Sequence, residues 1–384
     1  MRVCWLVREN LLEQPGGDTT QILQTAEALR RSGAGDNSDV REPITIDFVS
    51  SRRPDFAGYD LVHLFHLDRL WENEPHCRQL QAQRRPAVLS TIYWPADAFD
   101  RGGRAGLQGL LARAIGSEGY RSLRLLQRWA LDLRRAFRQG GVHRPTWNFR
   151  RSARYCLETM SVLLPNSRAE QEVIEAELDV QRPTVVVPNA VGQEFLQTPA
   201  GCDELLGAAS STPVRQGVLC VGRIEPRKNQ LALIRAVRKS DIRLTLIGQA
   251  GRYSRSYEAR CRAEAGPNVR FVGQSTPAEL WQWYSRSLVH ACPSWYETPG
   301  LVNLEAAACG CAIVATPGGC TREYLGDMAH YGEPDDVDSI RRAITLALQE
   351  GPRLDLRERI TREYTWDAAA RKTLEAYELA LSAS

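Results

Sequence analysis

Two successive series of short apolar runs constrain this chain more than any other feature. The first occupies residues 3–7, 45–49, 61–65, 87–93, 162–165 and 184–187; the second occupies 218–222, 244–248, 269–273, 288–292 and 312–316. Each run holds about five residues rich in Val, Ile and Leu, and longer helix-compatible stretches lie between them. Continuous apolar strands alternating with helices predict parallel sheets covered on both faces. The chain therefore reads as α/β, with two doubly wound domains, and 384 residues exceed what one core ordinarily serves. A stretch poor in large apolar residues, 201–216, marks the linker. The divisions expected are 1–189, a linker region 190–213, a second domain 214–362 and a closing segment 363–384.

Composition sets the outer bounds. A hydrophobic fraction of 43% with nine tryptophans excludes a disordered or low-complexity chain. No apolar run approaches the roughly 20 residues needed to span a bilayer. The opening residues pass straight into Arg8-Glu9-Asn10 and lack a signal-peptide pattern, so a cytoplasmic protein is expected. Ten cysteines sit apart from one another, apart from Cys309 and Cys311, and read as reduced core residues. The formal charge of +3 points to no particular partner, but its distribution is uneven. Residues 101–154 carry thirteen arginines against Glu118 and Asp132. Aromatic residues are sparse among them and no nucleic-acid module is present, so no nucleic-acid partner is expected.

Doubly wound folds bind ligands at the carboxyl ends of their strands. After the first run comes Pro15-Gly16-Gly17-Asp18, leading into a helix, where glycines admit close backbone approach and the helix N-terminus favours anions. The pattern is not Gly-x-Gly-x-x-Gly, which argues against a dinucleotide oxidoreductase. After residues 218–222 comes Gly222-Arg223-Ile224-Glu225-Pro226-Arg227-Lys228-Asn229. Cations at a helix start oppose the helix dipole unless an anion binds there, and a guanidinium fork with a lysine suits a diphosphate. The most specific feature is Glu297-Thr298-Pro299-Gly300-Leu301-Val302-Asn303-Leu304-Glu305. Here a strand ends at one carboxylate, a Pro-Gly turn opens a helix, and a second carboxylate lies two helical turns further on. The amides of Gly300, Leu301 and Val302 point at whatever anion sits beside them.

With Gly16-Gly17, Gly222-Arg223, Lys228, Val187-Pro188-Asn189 and the Glu297 to Glu305 motif together, the chain resembles glycosyltransferase family 4 of the GT-B fold, over nearly its whole length. The resemblance implies two Rossmann-like domains facing a central cleft, the N-terminal on the acceptor side and the C-terminal on the donor side. It also implies that residues 363–384, with Tyr364-Thr365-Trp366, cross back onto the N-terminal domain. It assigns the donor diphosphate to Arg223 and Lys228, the donor sugar to Glu297 and the ribose hydroxyls to Glu305. Catalytic roles thus fall to Glu297, Arg223 and Lys228. Gly16, Gly17, Gln274, Gly300, Leu301 and Val302 complete the donor-binding set. The implied activity is retaining transfer of a hexose from a nucleoside-diphosphate sugar to a glycan or lipid-linked acceptor, as in cell-surface polysaccharide synthesis. No metal and no further cofactor is expected. The one Asp-x-Asp, at Asp336 and Asp338, precedes a helix and reads as an N-cap.

Many family members carry a histidine after the fourth strand, where this chain reads Thr91-Ile92-Tyr93-Trp94. His63, His66, Tyr93 and Trp94 are the acceptor-side candidates in its place. His290 sits within an apolar strand and reads as core. Residues 120–139 form an amphipathic pattern, with Leu123, Leu126, Ala130, Leu133 and Phe137 on one stripe and arginines elsewhere. Such a helix can lie on an anionic membrane or pack its stripe inward. Because one fold hosts several reactions, a phosphorylase or nucleotide-sugar epimerase stays open as an alternative, with anionic-polymer binding as a remote one.

Overall fold

The computed structural model describes residues 1–32, 44–104, 106–138, 147–196 and 215–383, with the backbone alone at 132 and 134–138. The chain divides into two compact units. Unit 1 comprises Met1–Pro95, Leu110–Asn189 and Trp366–Ser384; unit 2 comprises Ala96–Gly109 and Ala190–Thr365. The segment 96–109 thus belongs to unit 2, although the sequence places it inside the N-terminal domain. Most of the expected linker, 197–213, lies outside the described residues.

Unit 1 holds a five-stranded parallel sheet in the order β2-β1-β3-β4-β5, formed by β1 (Arg2–Leu6), β2 (Thr45–Val49), β3 (Leu61–Phe65), β4 (Ala87–Ser90) and β5 (Val162–Leu164). Its helices are α1 (Gly17–Ser32), α2 (Leu70–Gln83), α3 (Gly106–Arg138), α4 (Phe149–Thr159) and α5 (Arg168–Leu178). The run 184–187 makes a single bridge, Thr184 to Leu163; the amides of Val185 and Val187 donate to the carbonyls of Leu163 and Pro165, but Pro165 has no N–H to continue the ladder. Cys4, Leu64, Leu89 and Leu163 of the strands pack with Leu80, Leu157 and Ile174 of the helices as one core.

After its 96–109 segment, unit 2 resumes with one turn, α6 (Gln193–Leu196). It holds a six-stranded parallel sheet in the order β11-β10-β9-β6-β7-β8. The strands are β6 (Val218–Val221), β7 (Leu244–Ile247), β8 (Val269–Val272), β9 (Val289–Cys292), β10 (Ala312–Ala315) and β11 (His330–Tyr331). The last is two residues long, too short for any sequence period to reveal. Between and after them run α7 (Gln230–Val237), α8 (Arg255–Glu264), α9 (Pro277–Arg286), α10 (Leu301–Ala308), α11 (Thr321–Leu325), α12 (Val337–Glu350) and α13 (Leu354–Glu363). Asp336 caps α12 as its position suggests, accepting from the amides of Asp338 and Ser339 at 2.8 and 3.0 Å.

The final helix, α14 (Trp366–Ser382), belongs to unit 1, where it packs on α1 and against β4 and β5. Its Tyr377 is fully buried. The hydroxyl accepts from Trp5 Nε1 at 2.9 Å and lies 2.7 Å from His63 Nδ1. Tyr377→Phe would leave the buried indole N–H without its acceptor, and denaturant unfolding should show a loss of about 1–3 kcal/mol.

α3 is broken at Gly116 (φ 72°, ψ 165°). Beyond the break, Tyr120 and Leu125 are buried, whereas Leu126 is 39% and Leu131 73% exposed. The inward face is therefore not the expected stripe through Leu126, because a Leu-Leu doublet fits two helical phases and spacing alone cannot choose. The Phe137 side chain and Gln139 lie outside the described residues. The arginines are not all solvated either. Arg121 pairs with Glu177 and donates to the Tyr93 hydroxyl at 2.7 Å.

Candidate donor-binding site

In unit 2 the chain winds outward from β6 in both directions, to β7 and β8 on one side and to β9, β10 and β11 on the other. The switch point lies between β6 and β9, and loops leaving their carboxyl ends splay apart there to leave room for a ligand. Those loops are 222–229 and 293–300, the two motifs singled out in the sequence. They are tied together by Asn229, whose side-chain amide donates to the Pro293 carbonyl at 3.1 Å, and by the Trp295 amide, which donates to the Arg227 carbonyl at 2.9 Å.

The centre is Glu297, 5% exposed. Lys228 Nζ stands 2.6 Å from one carboxylate oxygen, and Arg227 Nη1 stands 3.5 Å from the other while donating to the Tyr296 carbonyl at 2.9 Å. The Ser294 hydroxyl also donates to Glu297. Burial raises the pKa of a carboxyl, but the charges of Lys228 and Arg227 and the hydrogen bonds from Lys228 and Ser294 outweigh it, holding Glu297 at about 2. The backbone of Glu297 is clasped just as tightly. Gly319 (φ +92°) lies so close that an added Cβ would stand 1.9 Å from the Glu297 carbonyl oxygen, so only glycine fits there. Gly300 (φ 69°, ψ 56°) then turns the chain into α10, leaving the amides of Leu301 and Val302 at an open helix start.

Glu305, one turn along α10, accepts from the buried Tyr284 hydroxyl at 2.9 Å. Burial pushes its carboxyl up to about 7, against the lowering effect of that hydrogen bond. Arg223 projects outward with a side chain 61% exposed and a loose 3.8 Å contact to Glu225. Gln274 is exposed beyond the end of β8. A turn at Phe99–Gly103 packs on Trp295, with the Phe99 and Trp295 rings 6.2 Å apart. A Cβ on Gly102 or Gly103 would come within about 2.6 Å of that indole.

Unit 1 has its own switch point, between β1 and β3. Gly16 and Gly17 lead into α1 there. Asp18, in the first turn, accepts from Arg8 Nε at 2.7 Å and stands 3.3 Å from His66 Nε2. Burial raises the Asp18 pKa, yet His66 and Arg8 hold it well below the usual carboxylate range. His66, in a left-handed conformation (φ 67°), is the histidine candidate that stands near these glycines. His63 is a correction. It is 1% exposed, bonded to Tyr377 and Ser90, and burial lowers its pKa to about 3, so it is a packed strand residue. Tyr93 is also a correction, being 3% exposed with its hydroxyl donating to Glu177 at 2.7 Å. Trp94 is half-buried. His290 is core, as read.

Four groups escaped sequence reasoning. Arg227 stood in the motif, but adjacent cations gave no ground for choosing the one that would face Glu297. Tyr284 and Ser294 carried no signal at all. In unit 1, Glu170 is fully buried, bonded to the Thr91 hydroxyl and to the amides of Tyr93 and Asn166 at 2.8 and 3.0 Å, and burial raises its pKa to about 7.

Residues 214–365 match the family described as Glycosyl transferases group 1. O-antigen chain mannosyltransferase B of Escherichia coli is 29% identical over 175 residues, 42% of this chain and 45% of that protein. Alpha-maltose-1-phosphate synthase of Mycobacterium tuberculosis is 29% identical over 216 residues, 50% of this chain and 56% of that protein. The chain thus spans about half the length of these curated relatives. Among solved structures, sucrose-phosphate synthase from Thermosynechococcus elongatus superposes with a TM-score of 0.71 over 100% of both chains at 18% identity, a likeness of fold. With two parallel-sheet α/β units and these neighbours the fold is GT-B, and residues 214–365 match the model of the glycosyl transferases group 1 family.

Proposed function

We propose that the protein is a retaining glycosyltransferase that moves a hexose from a nucleoside-diphosphate sugar to a glycan or lipid-linked acceptor. The observation that carries this reading is the Glu297 carboxylate, buried between Lys228 and Arg227 beside the open start of α10. Two cations and free helix amides around one carboxylate make a site where diphosphate oxygens and a sugar can be held side by side. The names of the relatives, a mannosyltransferase and a maltose-1-phosphate synthase, accord with it.

In this reading the bond between the anomeric carbon and the diphosphate oxygen breaks, and its electron pair stays on the leaving oxygen. The acceptor oxygen bonds to that carbon on the same face, and its proton passes to the leaving diphosphate. Lys228, Arg227, Arg223 and the amides of Leu301 and Val302 stabilise the charge that grows on the leaving group, so the step requires no metal ion. Glu297 orients the sugar through its hydroxyls, and Glu305 takes the ribose hydroxyls.

On the acceptor side, unit 1 carries a groove of about 470 Å³ between Glu118 of α3 and Arg150, Arg151 and Arg154 of α4. Leu110, Leu111 and Ile115 of α3 are 59%, 39% and 44% exposed at helical spacing. Among the described residues no helix is long and apolar enough to cross a membrane. A cationic groove with an exposed apolar stripe suits peripheral contact with an anionic surface and a role in surface-polysaccharide synthesis. Binding to anionic vesicles that falls with salt is expected.

Incubation with a panel of nucleotide sugars, with product analysis, tests the activity. Release of nucleoside diphosphate with formation of an α-linked glycoside from an α-linked donor is expected, and product from free sugar phosphate alone would point to a phosphorylase. Glu305 adds a pH signature. Its pKa, raised from the usual carboxylate range to about 7, means the folded protein holds this proton up to neutrality. Ribose hydroxyls need the carboxylate, so nucleotide affinity should rise through pH 6–8 and level off above, a dependence that Glu305→Gln abolishes.

A further inference from the structure

Asn303 lies on the first turn of α10, fully buried. Its orientation is fixed by a chain of donors and acceptors. The Val221 amide can only donate, and it points at His290 Nε2 from 3.3 Å, so that nitrogen carries the lone pair. The neutral ring must then carry its hydrogen on Nδ1, which faces Asn303 Oδ1 at 3.1 Å. The carbonyl end of Asn303 is thereby committed to His290, and Nδ2 points the other way. That buried amide nitrogen has no hydrogen-bond partner among the described residues. A buried donor left unpaired costs stability, and proteins retain such groups where a ligand or water completes them.

The space beside Nδ2 is defined by Gly300. A Cβ built on Gly300 would stand 3.1 Å from Asn303 Nδ2 and 3.4 Å from Glu297 Cβ. Glycine thus keeps a Cβ from standing between the unpaired amide and the Glu297 side chain, beside the amides that open α10. We propose that Asn303 is a further donor-binding residue, whose side-chain amide donates to an oxygen of the distal phosphate of the bound nucleoside diphosphate. The inference rests on the reading of this site as a nucleotide-sugar site. It makes Asn303 one of the groups that distinguish a diphosphate from a monophosphate, with His290 as a positioning residue that aims it.

Asn303→Asp tests this by changing one atom: the oxygen facing His290 stays, and the NH2 becomes an acceptor. Titration calorimetry would compare UDP, GDP and ADP with the matching monophosphates, using wild type and variant of equal thermal stability. Diphosphate affinity is expected to fall at least tenfold while monophosphate affinity changes less than twofold, with partial recovery at low pH as the aspartic acid regains a donor. Equal losses for both nucleotides, or a loss seen only with the nucleotide sugar, would overturn the proposal. If the aspartate variant does not fold, Asn303→Ser carries the same comparison. Failure of wild type to bind any nucleoside diphosphate would instead sink the underlying reading of the site.

Discussion

Lys228→Gln should lower turnover by roughly 10²- to 10³-fold, the scale of losing one preorganised donor to a developing oxyanion. The structure adds a second effect. Lys228 and Glu297 form a buried pair at 2.6 Å, so removing the ammonium leaves a carboxylate held by Arg227, at 3.5 Å, by Ser294 and by the weak thiol donor of Cys292 at 3.7 Å. Breaking a buried pair costs about 3–5 kcal/mol when nothing compensates; the remaining guanidinium and protonation of Glu297 should soften this. Glu297 is held at about 2, below the unfolded value, so its stabilisation is present at neutral pH and is lost as pH falls through that range. The variant should therefore lose less stability at pH 4 than at pH 7. Arg223→Ala, at an exposed side chain, should lower turnover with no change in melting temperature. Steady-state rates and melting curves at both pH values check this; an unchanged rate in Lys228→Gln would refute the phosphate role.

Truncation after Thr365 should unfold unit 1 while leaving unit 2 folded. It removes α14, with Trp366, Ala369, Ala370, Ala376, Tyr377 and Ala380 all buried, and uncovers Trp5 and α1. The apolar side chains lost from the core, at about 1.5–3 kcal/mol for each large one, together match the net stability of a typical domain. Limited proteolysis should cut the truncated protein throughout 1–189 and spare 215–365. A resistant N-terminal half would show that α14 is dispensable.

The sequence made the sheets and the Glu297 to Glu305 motif legible for definite reasons. Strands buried on both faces must be continuously apolar, so β1, β3, β6, β9 and β10 announce themselves. Glycines with no room for a Cβ, such as Gly319 against Glu297, mark the loops. What stayed hidden depends on three-dimensional partners. His63 and Tyr93 carry the right chemistry for an acceptor site, but Tyr377 lies 314 residues from His63, and Arg121 and Glu177 claim the Tyr93 hydroxyl. Arg227 and Arg223 are the same residue type four positions apart, and only the turn at Pro226–Lys228 decides which one meets Glu297. The phase of α3 was hidden by the Leu125-Leu126 doublet.

The return of α14 to unit 1 also sets a schedule for synthesis. The five strands of unit 1 are complete at Leu164, yet the helix that covers its Trp5 and His63 begins at Trp366. At about 5–20 residues per second, the ribosome needs roughly ten to forty seconds to make the intervening chain. During that interval the nascent N-terminal half presents an uncovered apolar face, while unit 2 has all of its own strands in hand before α14 emerges. The half made first is thus the half finished last.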